Sequence, residues 1–249
     1  MTEKPKSSEM HPGPGFRIRY EFERTDPEVV DGFRSFDTPD MSDLMNRLYT
    51  VSSAIHNITA AHKPMLGPAT TVKVFPGDNL MVHKALDIAQ PGDVIIVDAS
   101  SSLMTAVIGD LVCTKARHRG VVGFVIDGLV RDLPAILEMV DFPVFARGIT
   151  PIGPLHRGPG EINHAVCAGG VVVHPGDLIA ADANGVVVVP REDAPELLSR
   201  LRARAAAEAE YTAAVGRGEF SNDWVDAALS EAGVDARPFE SMRRRDEQH

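Results

Sequence analysis

Between Thr70 and Phe145, apolar runs and amphipathic stretches take turns along the chain. Thr70–Phe75 (TTVKVF) is rich in β-branched residues and reads as a strand. Over Asn79–Ala89 the apolar positions recur at helical spacing, which predicts an amphipathic helix. Pro91-Gly92-Asp93 is a turn signal, and the short apolar run Val94–Val97 behind it suits a buried strand. The same reading gives a helix over Ser102–Arg117, a buried strand over Gly120–Ile126, a helix over Asp132–Met139 and a strand over Phe142–Phe145. Strands and helices in alternation predict α/β architecture around a largely buried sheet.

The pattern differs on either side. Upstream, Phe16–Phe22 alternates enough for a short strand, and Asp26-Pro27 opens a helix running to about Arg34. Met41, Leu44, Met45 and Leu48 place a second helix over Pro39–Tyr49. Downstream, Gly169–Val173, Leu178–Asp182 and Gly185–Val189 are short strands separated by His174-Pro175-Gly176-Asp177 and Ala183-Asn184-Gly185. That is the turn chemistry of an antiparallel meander. A long helix follows over about Glu192–Arg217, rich in Ala, Arg and Glu. Residues 1–15 read as a disordered leader and 221–249 as a polar, fraying tail, which leaves 16–220 as one domain.

Charge narrows the choice of partner. The 249 residues carry a formal net charge of -10 without a basic run, a poor basis for gripping a nucleic-acid backbone. No stretch approaches the roughly 18 apolar residues of a membrane span, and residues 1–15 lack the apolar core of a signal peptide. A cytoplasmic location without membrane contact is therefore expected. Cys113 and Cys167 lack metal-ligand spacing, and the nine histidines form no HExxH. The dinucleotide fingerprint GxGxxG is absent as well.

The chemistry concentrates in GDLVCTKARHRGVVGFVIDGLVRD, residues 109–132. Arg131-Asp132 follows a strand at a helix start, and Asp110 falls within the helix placed over Ser102–Arg117. In α/β folds the loops at strand ends face a crevice and collect functional groups. A guanidinium forks onto a carboxylate. An adjacent Asp offers oxygen to a hard divalent cation, and Mg²⁺ takes only one or two carboxylates while keeping several waters. Together they suit a 2-oxo acid, with Arg on the carboxylate and a metal polarising the ketone. The plainer reading is a helix cap beside a solvated charge, with Asp110 a surface residue. Spacing alone leaves both open.

Five stretches decide the matter: GPATTV (67–72), GDNLMVHKALDIAQPGDVIIVD (77–98), residues 109–132 above, FPVFARGITP (142–151) and PGDLIAADANGVVVVP (175–190). Through them the segment from Gly67 to Pro190 resembles the RraA-like family. That family contains the regulator of ribonuclease activity A and the class II 4-hydroxy-4-methyl-2-oxoglutarate/4-carboxy-4-hydroxy-2-oxoadipate aldolases. Its aldolase branch is marked by an Asp, twenty residues, then Arg-Asp, the spacing of Asp110 and Arg131-Asp132.

The resemblance implies a three-layer β/β/α swivelling domain, here with extra N-terminal helices and a long C-terminal helix. It implies a homotrimer or hexamer with active sites between subunits. Asp132 would ligate Mg²⁺ or Mn²⁺, and Arg131 would bind the pyruvate carboxylate and steady an enolate. Asp110 would position a water and help proton transfer. The N–H groups of Leu111 and Val112 would cradle the substrate carboxylate, with Gly109 permitting close approach. Glu208 or Glu210, from a neighbour's C-terminal helix, would handle a proton. His83 is placed near the pocket, and Arg147 toward the distal carboxylate of a diacid. The implied activity is retro-aldol cleavage of a 4-hydroxy-2-oxo acid, decarboxylation of oxaloacetate, or both. The alternative is a non-catalytic regulator that binds a ribonuclease or another protein.

Overall fold

In a computed structural model, residues 14–59 and 63–234 are described. The chain divides into two compact units after Arg202. In chain order the elements are β1 (Phe16–Ile18), α1 (Pro27–Gly32), α2 (Thr38–Leu44), β2 (His56–Asn57), β3 (Met65–Val74), α3 (Leu80–Ala85), β4 (Val94–Asp98) and β5 (Ala106–Ile108). Then come α4 (Asp110–His118), β6 (Gly123–Val130), α5 (Leu133–Leu137), β7 (Val144–Ile149), β8 (Gly160–Ile162), β9 (Val166–Ala168) and β10 (Val171–Val173). The chain continues through β11 (Leu178–Asp182), β12 (Gly185–Val189), α6 (Ala194–Gly216) and α7 (Asp223–Glu231).

Four strands form the spine, β3-β4-β6-β7, all parallel. Every residue of β4 and β6 is buried. Such strands are apolar throughout because both faces of the sheet are covered. On one face Val72, Ile95 and Phe124 pack against Val82, Ala85, Val112, Ala116 and Ile136 of α3, α4 and α5. On the other, Ile96, Val125 and Phe145 pack against Val166, Val173, Ile179 and Val188 of a second β layer. This is mixed α/β architecture in β/β/α order. The outward residues of β11 and β12, such as Leu178 and Val187, are covered in turn by Val30, Phe33, Met41, Leu197 and Leu201. The N-terminal helices and the first turns of α6 thus bury an apolar face that would otherwise meet water.

Two charged devices fix the layers. Arg24 forks onto Asp93 with Nε–Oδ1 2.9 Å and Nη2–Oδ2 3.0 Å, and Asp93 also accepts from Thr70 Oγ1 at 2.8 Å. This ties the N-terminal segment to the entry of β4. At the strands' far ends, Lys73 Nζ meets Asp98 at 2.6 Å, and Arg147 pairs with Asp127. Asp98 also accepts the Cys167 N–H, and Asp127 the Gly169 N–H, so the two carboxylates hold the β9–β10 hairpin against the sheet.

Several sequence expectations need correction. The helix placed over Ser102–Arg117 is a loop, then β5, then α4 beginning at Asp110. Ala106-Val107-Ile108 pairs with the end of β6, and Gly109 is extended (φ -143°), so the helix starts eight residues later than expected. The second N-terminal helix stops at Leu44, because Asn46 and Arg47 have φ of 55° and 64°. Gly169 and Gly170, also left-handed, make the turn of the β9–β10 hairpin rather than the start of a strand. β11 pairs with β12 and β3 rather than continuing a meander from β10. Within the expected fraying tail, Asp223–Glu231 is helical. The leader's residues 1–13 and the tail's 235–249 lie outside the described residues.

Truncating Arg24 would leave Asp93, only 2% exposed, without its cation. Arg24→Ala is expected to destabilise the protein by about 3 kcal/mol, read from the shift in the urea midpoint.

Candidate functional site

β5 brings the site together. It lies alongside the last residues of β6, with Ala106 opposite Leu129 and Ile108 opposite Val130. Gly109 therefore emerges next to Arg131, whose N–H donates to Ile108 O at 3.0 Å. The start of α4 and the end of β6 then share one cleft of about 220 Å³. Ile108, Gly109, Asp110, Leu111, Val112, Arg131 and Asp132 line one side. Asn79, His83, Lys115, Pro154 and His156 complete it.

Asp132 occupies the N-cap position of α5, yet its side chain makes no capping hydrogen bond. Its backbone is left-handed, φ 61°, ψ 37°. A non-glycine residue held there costs about 1–3 kcal/mol and persists only where its surroundings impose it, most often at functional sites. The carboxylate is turned over Gly109. A Cβ on Gly109 would sit 2.2 Å from Asp132 Oδ2 and 3.1 Å from Arg131 Cγ, so any side chain there would push the Asp132 carboxylate out of this position. Arg131 Nε lies 3.3 Å from Asp132 Oδ2. Its guanidinium also rests on Gly153, where a Cβ would come within 2.5 Å of Nη1. The helix-cap reading of Asp132 is thus excluded by geometry.

The expected residues distribute as follows. Gly109, Asp110, Leu111, Val112, Arg131 and Asp132 meet at the cleft, and His83 lines it. Asp110 is the first residue of α4 rather than a mid-helix residue. Its Oδ1 accepts the Leu111 N–H at 2.7 Å. That N–H therefore serves an incoming carboxylate only once Asp110 turns aside. Arg147 is turned to the opposite face of the sheet, held by Asp127, and is not among the cleft residues. Glu208 and Glu210 lie in α6, paired with Arg204 and Arg217.

Sequence reasoning missed Lys115, Gly153, Pro154 and His156; of the Asp78-Asn79 pair that opens α3, Asp78 supplies the cap and Asn79 does not. Asp78 Oδ1 accepts the Leu80 N–H at 2.8 Å. The amide of Asn79 points into the fold, donating to Val107 O at 2.8 Å. The signal for Pro154 and His156 was only their position, just after the strand that follows Arg131-Asp132.

Among the described residues no group of three or more His, Cys, Asp or Glu forms a metal cage. The donors that are present still fit a hard divalent ion. Mg²⁺ binds through one or two carboxylates and fills its octahedron with water and substrate oxygens. Asp132 and Asp110 offer oxygen only, on neighbouring walls of one cleft. Burial, with the charges of Asp110 and Asp132, pushes the Cys113 thiol beneath them up to about 12. That thiol stays protonated and takes no part as a ligand. Burial, then His156 and Lys115, lowers the pKa of His83, which favours neutral imidazole.

An open α/β sheet covered on both faces carries a strained Asp beside an Arg at the carboxyl ends of its parallel strands. The comparisons then give the family. The RraA-like family profile, described as Aldolase/RraA, matches residues 38–188, and the chain belongs to this family. A relative from Halalkalibacterium halodurans, provisionally named a 4-hydroxy-4-methyl-2-oxoglutarate aldolase, is 38% identical over 179 residues, covering 72% of this chain and 84% of its own. A solved structure of an uncharacterized protein from Pseudomonas syringae pv. tomato superposes with TM-score 0.70 at 27% identity, over 80% of this chain and 97% of that one. Streptomyces coelicolor RraAS2, described as an unusual member of the RNase ES inhibitor RraA family, gives TM-score 0.69 at 29% identity, over 77% and 98%. Among the described residues no helix is long and apolar enough to cross a membrane.

Cys167 is exposed and Cys113 buried. Native protein is expected to release one equivalent of colour with a thiol reagent at pH 8, and two after denaturation.

Proposed function

We propose that this chain is a divalent-metal-dependent lyase that generates a pyruvate enolate. It does so by retro-aldol cleavage of a 4-hydroxy-2-oxo acid of the 4-hydroxy-4-methyl-2-oxoglutarate kind, and by decarboxylation of oxaloacetate. One observation carries the reading. Asp132 stands where a helix cap would, yet does not cap, and strained backbone turns its carboxylate toward the cleft beside Arg131. A structural Asp would gain nothing from that conformation. The aldolase names of the relatives support the same reading.

Asp132, with Asp110 near it, would hold Mg²⁺ or Mn²⁺. When bound, the ion supplies Lewis-acid polarisation of the substrate's 2-oxo group. Arg131 binds the 2-oxo acid's carboxylate and meets the negative charge that grows as the C3–C4 bond breaks. Gly153, without a side chain, leaves the guanidinium room to lie there. The start of α4 presents its N–H groups, chiefly Val112's while Leu111's is held by Asp110, toward the same carboxylate. Asp110 is placed to orient a water for proton transfer. The same constellation serves decarboxylation, since loss of the second carboxyl from oxaloacetate leaves the same enolate.

The active form we propose is a homotrimer or hexamer in which Glu208 of a neighbouring copy completes the site. Exposed apolar side chains, Leu103 and Met104 before β5 and Ile152 and Leu155 after β7, support such assembly.

Purified protein is expected to release pyruvate from oxaloacetate with Mg²⁺ and to stop with chelator. Asp132→Ala should abolish release, and Arg131→Ala should lower kcat by about 10²-fold or more. An absence of metal-dependent turnover on oxaloacetate and on 4-hydroxy-2-oxo diacids would refute the lyase. Stable capture of an endonuclease in its place would favour the regulatory role.

A further inference from the structure

The wall of the cleft facing Arg131-Asp132 contains an ordered relay. Asn79 Nδ2 donates to Val107 O at 2.8 Å. A carbonyl only accepts, so the amide's orientation is settled: Oδ1 must face the other way. There it lies 2.6 Å from His156 Nδ1. An amide oxygen also only accepts, so Nδ1 of His156 carries the hydrogen. In neutral His156 the remaining nitrogen, Nε2, is then an unprotonated acceptor, on a ring that lines the cleft. His83 meets the same ring edge-on, with centroids 5.5 Å apart, and limits how it can tilt. The relay starts at Val107 of β5, the strand that delivers Gly109 and Asp110 to the site. His156 is thus tied to the reaction centre by two hydrogen bonds, although its own loop is exposed.

Several other acceptors in the cleft already have a donor, and the carboxylates of Asp110 and Asp132 are the groups assigned above to water and metal. Asp110 Oδ1 takes the Leu111 N–H, Asp132 Oδ2 faces Arg131, and Asn79 Oδ1 takes His156. Lys115 offers only donors. The 4-hydroxyl of an aldol substrate needs an acceptor, because cleavage cannot start until its proton has somewhere to go. Oxaloacetate has no such hydroxyl.

We infer that His156 is the catalytic residue that accepts the 4-hydroxyl proton, and so the residue that distinguishes aldol substrates from decarboxylation substrates. This rests on the lyase reading above. The O–H proton passes to Nε2, and the O–H bonding pair becomes the π bond of the new C4 carbonyl. The C3–C4 pair moves to C3 and is delocalised onto the 2-oxo oxygen as the enolate. The imidazolium returns the proton through water to C3, which completes pyruvate and restores the neutral ring. Decarboxylation reaches the same enolate by loss of CO₂ and leaves Nε2 unused.

The test compares two activities of one protein. Pyruvate release is measured from 4-hydroxy-4-methyl-2-oxoglutarate and from oxaloacetate, both with Mg²⁺, for the unaltered chain, His156→Phe and His156→Gln. Because the His156 side chain is exposed, both variants are expected to fold, with a lower urea midpoint for His156→Phe, which leaves the buried Asn79 Oδ1 without its partner. The expected result is a loss of about 10²-fold in kcat for aldol cleavage in His156→Phe, with decarboxylation within about threefold of the unaltered protein. His156→Gln should recover part of the cleavage KM but not its kcat, since an amide oxygen accepts a hydrogen bond but is not a base. Equal loss of both activities, or no loss of cleavage, would overturn the assignment to His156. If the unaltered chain turns over neither substrate, the lyase reading itself fails, and the two failures are told apart.

Discussion

Everything at the cleft depends on one close approach, that of the Asp132 carboxylate to the bare Cα of Gly109. The approach requires a left-handed Asp on one side and a residue without Cβ on the other. Neither is favourable for folding. The left-handed backbone costs about 1–3 kcal/mol, and the carboxylate forgoes a capping bond it could have made to α5. What holds it there is the surrounding β-structure. Arg131 N–H is bonded to Ile108 O, Thr150 N–H is bonded to Val130 O, and β6 is buried along its whole length. A rigid sheet edge thus imposes a conformation that the local sequence would not choose.

The sheet can do this because each of its faces is sealed. Helices α3, α4 and α5 cover one side, and the β9–β12 layer covers the other. Charges at the strand ends lock the β layer in place. Asp98 and Asp127 lie side by side in register on β4 and β6. Two adjacent buried carboxylates would repel, but each has its own cation and accepts a backbone N–H from the β9–β10 hairpin. The register shift in β6 between Ile126 and Leu129 falls at this locked point. On its other edge β6 pairs with β4 up to Asp127 and with β5 from Leu129, and that exchange of partners brings Asp110 to Arg131-Asp132.

Much of this is legible in the sequence, and the failures have physical causes. The buried strands were found because strands covered on both faces must be continuously apolar: Val94–Val97 matches β4, while the run over Gly120–Ile126 starts three residues before β6 because Gly120 belongs to the left-handed turn after α4. The helix after Asp132 read correctly because a strand, a turn and Pro134 precede an apolar stretch. β5 was lost because three apolar residues flanked by Leu103 and Met104 imitate helical spacing. Only long-range pairing with β6 makes them a strand. Asp110 was misplaced with it, although its partnership with Arg131-Asp132 followed from the family resemblance. Arg147 read as a pocket residue because it follows the strand expected over Phe142–Phe145, but it lies within β7, where side chains alternate and its turn falls on the opposite face. His156 and Asn79 carry no motif. Their pairing spans 77 residues and exists only once β8 has brought the loop back beside α3.

The most direct measurement is hydrogen exchange at the methyl group of pyruvate in D₂O, followed by proton NMR. Exchange requires only enolate formation and a proton carrier: a C–H bond opens and closes, no carbon–carbon bond is broken, and the distal group of a substrate plays no part. Loss of the methyl signal that needs Mg²⁺ or Mn²⁺, and that disappears in Asp132→Ala and in Gly109→Ala, is the expected result. Pyruvate that keeps its methyl protons with either ion, in protein shown to be folded, would contradict an enolate-stabilising site at Arg131 and Asp132.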